Sequence, residues 1–469
     1  MSASAQPPRR HAVAIVHVTI VDVASGARLP DQTVVVRGDR IAAVGPAART
    51  RVPAGATRVD ATGRFLIPGL WDMHTHTGAI ADVQFPLHLA NGVTGIRDLH
   101  LGVGDAARRS VRLRDEVASG RRLGPRMMVG VNLTGGDDER PTLIRALSPA
   151  RGRVIVDSVA RIGVDLVKVL SLVDRDVYFA IVDEARQRGL PVEGHVPIGV
   201  SAAEASDAGQ RTIEHVVEGN LTSGCSAADS TFRAEWLAAT RLPRNGARRE
   251  RVLANFVASA RAYDEGSCRD LAHKLARNGT AITPTLTVEH LGFEIGAAPA
   301  FADSTRPYAP ARWWKWFDDA RAAPATHDTT AWRALLRRDM AIVALMRREG
   351  VTVLVGTDLG TEGFPAAGFA YHEELRLLVQ AGLTPLEALR AATLDAARVL
   401  HVRTGEVKID RLADLVLLDA DPTIDIDNAS RVRGVVAAGR WLDRSALDAL
   451  LRGVRARIAE IDRASVARP

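Results

Sequence analysis

Eight short apolar runs alternate with amphipathic stretches between Phe65 and about Leu400, and this alternation narrows the choice of fold more than any other feature. The runs lie at Leu70–His76, Val93–Asp98, Arg126–Val131, Leu166–Leu170, Pro191–His195, Thr212–His215, Ala281–Thr285 and Val351–Asp358. A short apolar run followed by helical spacing is a βα unit. Eight such units are what a (β/α)8 barrel requires. Between the runs, Arg175–Arg188 carries Val177, Ile181 and Ala185 at helical spacing. Ser201 followed by Glu204 predicts a capping box opening a helix over Ser201–Ala208.

The flanks read differently. Val13–Val16 and Thr33–Arg37 are β-branched, and Arg37–Arg40 reads as a tight turn. Ala413–Asp419 and Val432–Ala437 return to β character near the other end. The expected α/β architecture is therefore a barrel over 65–400 with a small β-sandwich domain built from both chain ends, 1–64 and 401–443, and a helical tail over 444–469. Between runs seven and eight lies an insertion over 289–338 that holds Trp313, Trp314 and Trp316. Loops after barrel strands line the active-site face. The insertion is thus either an aromatic wall over a substrate or a segment packing its own small core or an oligomer contact.

Composition excludes several classes. The net charge of +6 comes from scattered arginines with no dense basic tract interleaved with aromatics, so no nucleic-acid partner is expected. No apolar run approaches the roughly 18 residues that would span a bilayer, so no membrane partner is expected. Cys225 and Cys268 lack metal-ligand spacing. Joined, they favour a periplasmic or secreted mature form; free, a cytoplasmic one. The polar start, Met1 to Arg10, has no signal-peptide apolar core.

The chemistry sits at the ends of the apolar runs. His74 and His76 are two apart, so on a strand both imidazoles point to one face. Lys168, one of only four lysines, lies inside Leu166–Leu170, where a cation needs a partner or altered chemistry. His195, His215 and Asp358 end three further runs. Barrel active sites form at this face, and imidazole with carboxylate suits zinc or a similar divalent ion.

These stretches resemble the amidohydrolase superfamily of metal-dependent hydrolases over nearly the full chain, and within it imidazolonepropionase-like and prolidase-like members. The resemblance is carried by Pro68–His76, Asn91–Asp98, Gly163–Lys168, Gly194–Pro197, Glu214–His215 and Thr357–Asp358, and later by Ala381–Leu389 and Ala413–Leu415. It implies a binuclear centre. His74, His76 and Asp358 would hold one metal, His195 and His215 the other, and Lys168, carboxylated by CO2, would bridge them. An unmodified Lys168 would leave a mononuclear site.

Water activated by metal would attack a carbonyl, with Asp358 moving its proton to the departing nitrogen. Glu214 and His372 are candidates to orient ligands, and Tyr178 and Tyr263 to contact substrate. The family's peptidases often place a histidine in a Gly-Gly-His context after strand three; here Gly135-Gly136 precede Asp137-Asp138. The expected activity is cleavage of a C–N amide bond in a dipeptide or N-acyl amino acid, with aromatic ochratoxin-type amides included, by a homo-oligomeric enzyme. The rivals are ring-opening cyclic amidohydrolase and lactonase.

Overall fold

The computed structural model describes residues 12–77, 80–99, 105–136, 143–244, 246–293, 304–322, 329–360 and 367–466. Seven parallel strands stand side by side in chain order: Leu70–Thr75, Val93–Asp98, Arg126–Thr134, Leu166–Val169, Val192–Gly194, Thr212–Glu214 and Ala281–Thr283. The segment expected as an eighth strand, Val351–Asp358, forms isolated bridges rather than a regular strand, at Val353 to Ile282 and, just beyond, at Leu359 to Thr75. It still closes the barrel. Leu354 N donates to Ile282 O at 2.8 Å on one side, and Met73 N donates to Val355 O at 2.8 Å on the other. The pleat is lost because Gly356 passes so close to strand one that a Cβ there would lie 2.8 Å from the His74 main chain, and Asp358 then turns left-handed at φ 55°.

The helices form where the apolar spacing places them. Arg175–Gln187 buries Val177, Ile181 and Ala185 against the barrel. Ala202–Asp207 opens with both halves of the predicted capping box, Glu204 N to Ser201 Oγ at 3.2 Å and Ser201 N to Glu204 Oε2 at 2.9 Å.

Both chain ends enter one sheet. Its order is Arg440–Asp443, Val432–Ala437, Leu415–Leu418, Phe65–Pro68, Val13–Val21, Arg28–Arg37 and Arg40–Pro46, with Thr57–Asp60 beside Val13–Val21. Leu415–Leu418 runs antiparallel to Phe65–Pro68, across about three-quarters of the chain in sequence. Alternate side chains separate its two faces. Leu66, Leu415 and Leu417 pack with Ile15, Ile20 and Val34, while Ile67, Val416 and Leu418 join the core around the barrel. The helix Arg444–Val466 lays Val454 and Ile458 against Val83 and Leu87 of helix Ala81–Ala90.

Candidate metal centre

Six strand-end side chains from five elements converge on one mouth of the barrel. His74 Nε2 is 3.1 Å from Asp358 Oδ1 and 2.8 Å from Lys168 Nζ. His76 Nε2 bonds the same Asp358 oxygen. His215 Nε2 lies 3.9 Å from Asp358 Oδ2. The His195 and His215 rings meet edge to face with centroids 4.8 Å apart. Ligand atoms of His74, His215 and Asp358 all lie within 4.8 Å of one another, a group able to hold a metal ion. This group draws on both of the sets that the resemblance assigns to separate metals.

Local backbone brings these groups to the axis. His215, Thr285 and Asp358 all turn left-handed, with φ of 62°, 52° and 55°, where a non-glycine residue stores strain. Gly194, before His195, has φ 114°, and a Cβ there would lie 2.4 Å from Val169 O. Only glycine lets strand five run this close to strand four.

Three histidines are oriented through Nδ1, which leaves Nε2 toward the centre in His74 and His215. His74 Nδ1 meets Glu214 Oε2 at 3.0 Å, His195 Nδ1 meets Ser171 Oγ at 2.8 Å, and His215 Nδ1 meets Thr285 Oγ1 at 2.6 Å. A partner of this kind on the far nitrogen sets the tautomer of a metal-binding imidazole. Burial lowers the His76 and His215 pKa values to about 3, against the opposing charge of Asp358. Burial, with His215 and Lys168 nearby, holds His195 well below its ordinary value. These rings are therefore neutral donors at physiological pH. Burial alone would raise the Asp358 carboxyl, but the adjoining His74 and His76 outweigh it and hold the group well below the carboxylate range.

The floor of the centre holds a residue that sequence patterning did not single out for a role. Arg97 is fully buried and spans the barrel interior. Its Nη1 donates to Glu193 Oε2 at 2.6 Å and Thr212 Oγ1 at 2.7 Å; its Nη2 donates to Glu214 Oε1 at 2.7 Å and Thr283 Oγ1 at 3.1 Å. Burial would raise the Glu214 carboxyl, yet Arg97 and His74 bring it down to about 2. The signal present in the sequence is a charged residue within the apolar strand Val93–Asp98, the same feature that marks Lys168 in Leu166–Leu170. Below His74, Asp72 Oδ1 accepts the main-chain amides of His74 and Thr357, each at 3.1 Å, and so ties strand one to segment eight.

Glu214 does orient a histidine, but it is His74 across the barrel rather than its neighbour His215. His372 instead bonds Asn91 O at 3.1 Å and holds its helix to the end of Ala81–Ala90. Tyr178 is buried and donates to Gln210 at 2.8 Å, and Tyr263 packs under the Arg338 guanidinium at 4.1 Å. Neither tyrosine is drawn to the centre. Asp137 and Asp138 lie outside the described residues, as do the side chains of Trp316 and Phe317. Trp313 and Trp314 are buried with Ala309, Ala370 and Leu359, the residue after Asp358. This part of the insertion therefore packs against residues of the barrel beside Asp358. The two cysteines are joined as a disulfide, Cys225 to Cys268.

A closed parallel barrel with a histidine and carboxylate cluster at the ends of its strands defines a metal-dependent barrel hydrolase. The Amidohydrolase family model matches residues 65–442, and the chain belongs to that family. A solved structure provisionally assigned as a prolidase, from Bifidobacterium longum, is 26% identical with a TM-score of 0.67, covering 95% of this chain and 100% of its own. Bottromycin amidohydrolase is 26% identical with a TM-score of 0.72, covering 96% and 91%. The adenine deaminase of Rubrobacter xylanophilus is 38% identical over 117 residues, which is 22% of this chain and 19% of the deaminase. The chain thus matches about a fifth of that curated relative's length.

Proposed function

We propose that this amidohydrolase cleaves a C–N amide bond in a dipeptide or N-acyl amino acid. The observation that carries the proposal is the convergence of His74, His76, Lys168, His195, His215 and Asp358 on one barrel mouth. The similarity to a prolidase-type protein and to bottromycin amidohydrolase supports an amide over a lactone. His74, His76 and Asp358 would hold one divalent ion, His195 and His215 a second, and zinc suits this donor set. Lys168 is the strongest argument for a bridge. Its Nζ lies 2.8 Å from His74 Nε2, the nitrogen that faces the centre, where an ammonium would repel a dication. Reaction with CO2 turns that amine into a carbamate, an anionic oxygen donor.

Bound ions would supply an activated water and polarise the scissile carbonyl. Asp358, ionised at neutral pH, accepts the proton of the attacking water and delivers it to the departing nitrogen. Glu214 and Arg97 hold His74 in the tautomer this requires. The test is a mass-spectrometric turnover screen of the zinc-loaded protein on dipeptides, N-acyl amino acids, aryl amides, lactones and cyclic ureides. Two fragments from an open-chain amide are expected. Ring opening or lactone cleavage alone would replace this proposal with one of its rivals.

A further inference from the structure

One acidic residue beside the centre has no role among the metal-binding or proton-transferring groups. Glu218 follows His215 by three residues in the loop after strand six. Its carbonyl accepts from Val196 N at 3.2 Å, the amide just after His195, so the loop is pinned between the two histidine-bearing strand ends. Gly219 holds this course: a Cβ there would lie 2.5 Å from His215 O. The residue is half-buried. Burial raises its carboxyl pKa; beyond its own main-chain amide, the groups that act on it are Asp358, Lys168 and His74. Those are the groups that would handle the scissile carbonyl. Among the described residues, no ion pair involves Glu218. Arg97, by contrast, satisfies both Glu193 and Glu214.

We infer that Glu218 is a specificity-determining residue that receives the free α-ammonium of the substrate. The inference rests on the amide-hydrolase proposal and narrows it, favouring dipeptides and other α-amino amides over N-acylated ones. The chemistry fits. An α-ammonium sits two bonds from the carbonyl under attack, so a carboxylate on the loop pinned between the His195 and His215 strand ends is within its reach. A half-buried carboxylate short of partners gains more from an ammonium than a solvated one does. An N-acetyl group would instead leave it facing a neutral amide.

The test compares one dipeptide with its N-acetyl form on zinc-loaded wild type and Glu218→Gln. Wild type is expected to prefer the free amine by at least about tenfold in kcat/KM. Glu218→Gln should shrink that preference to near unity, mainly through KM, at unchanged zinc content. A preference that survives the substitution overturns the inference. A parallel loss for both substrates together with zinc overturns it too, by placing Glu218 on the metal. If wild type cleaves neither compound, the amide proposal fails separately, and calorimetric binding decides. Tighter binding of the free amine, lost in Glu218→Gln, sustains the ammonium site; equal or absent binding refutes it.

Discussion

Glu214→Gln should damage metal binding by reversing a tautomer. In the native centre Glu214 accepts on both oxygens, from Arg97 Nη2 at 2.7 Å and facing His74 Nδ1 at 3.0 Å. His74 Nδ1 therefore carries the proton, and Nε2, which faces Lys168 Nζ and Asp358 Oδ1, keeps the lone pair that would bind a metal. A guanidinium can only donate, so the glutamine carbonyl must turn to Arg97. The amide NH2 then faces His74 Nδ1, which must accept. The proton moves to Nε2, the atom that would bind the ion. Loss of such an orienting partner costs about 10–100-fold in metal affinity, or about 1.4–2.7 kcal/mol. The upper end is expected because the ligand atom itself is blocked. Arg97 keeps Glu193, so the fold should lose only about 1–3 kcal/mol. Competition against a chromophoric chelator measures the zinc affinity, and a urea melt of the metal-free protein measures the fold. A folded variant with wild-type zinc affinity would refute the orienting role of Glu214.

Lys168→Ala should lose bound zinc and activity together, with partial recovery in a short carboxylic acid; full activity without the acid would exclude the bridge. His88 is fully buried, neither ring nitrogen has a hydrogen-bond partner among the described residues, and burial lowers its pKa to about 4. The unfolded chain, near 6.5, binds the proton first, so this contribution to stability is complete above pH 6.5 and falls as pH drops toward 4. Between pH 7 and pH 5 it amounts to about 2 kcal/mol. Urea melts of His88→Phe should show a pH dependence shallower than wild type by about that amount, and parallel slopes would refute the assignment. Replacing Cys225 and Cys268 by serine opens a link across a sequence separation of 43 and should cost about 4 kcal/mol on the loop-entropy estimate. Intact mass after alkylation without reductant should show neither cysteine modified; two added groups would show free thiols.

The route from sequence to site was open in some places and closed in others. His74 and His76 were legible because a strand repeats every two residues, and Lys168 because a cation in an apolar run violates burial. His195, His215 and Asp358 followed from their shared place at run ends. His372 and the two tyrosines were not separable from ligands or substrate contacts, since their partners, Asn91 O, Gln210 and Arg338, lie far along the chain. The eighth run was legible as apolar but not as irregular, because its departure from the pleat answers a close approach by strand one.

Local periodicity, capping and composition thus determined the βα repeat, the two β flanks and six candidate donors at strand ends, since these depend on neighbours within a few residues. Only the tertiary structure decided that Arg97 lies beneath the centre, that Glu214 serves His74 rather than His215, that Trp313 and Trp314 pack behind Asp358, and that Cys225 meets Cys268. Each of those depends on which strands face across the barrel, a relation that closure of the sheet creates and no local pattern records.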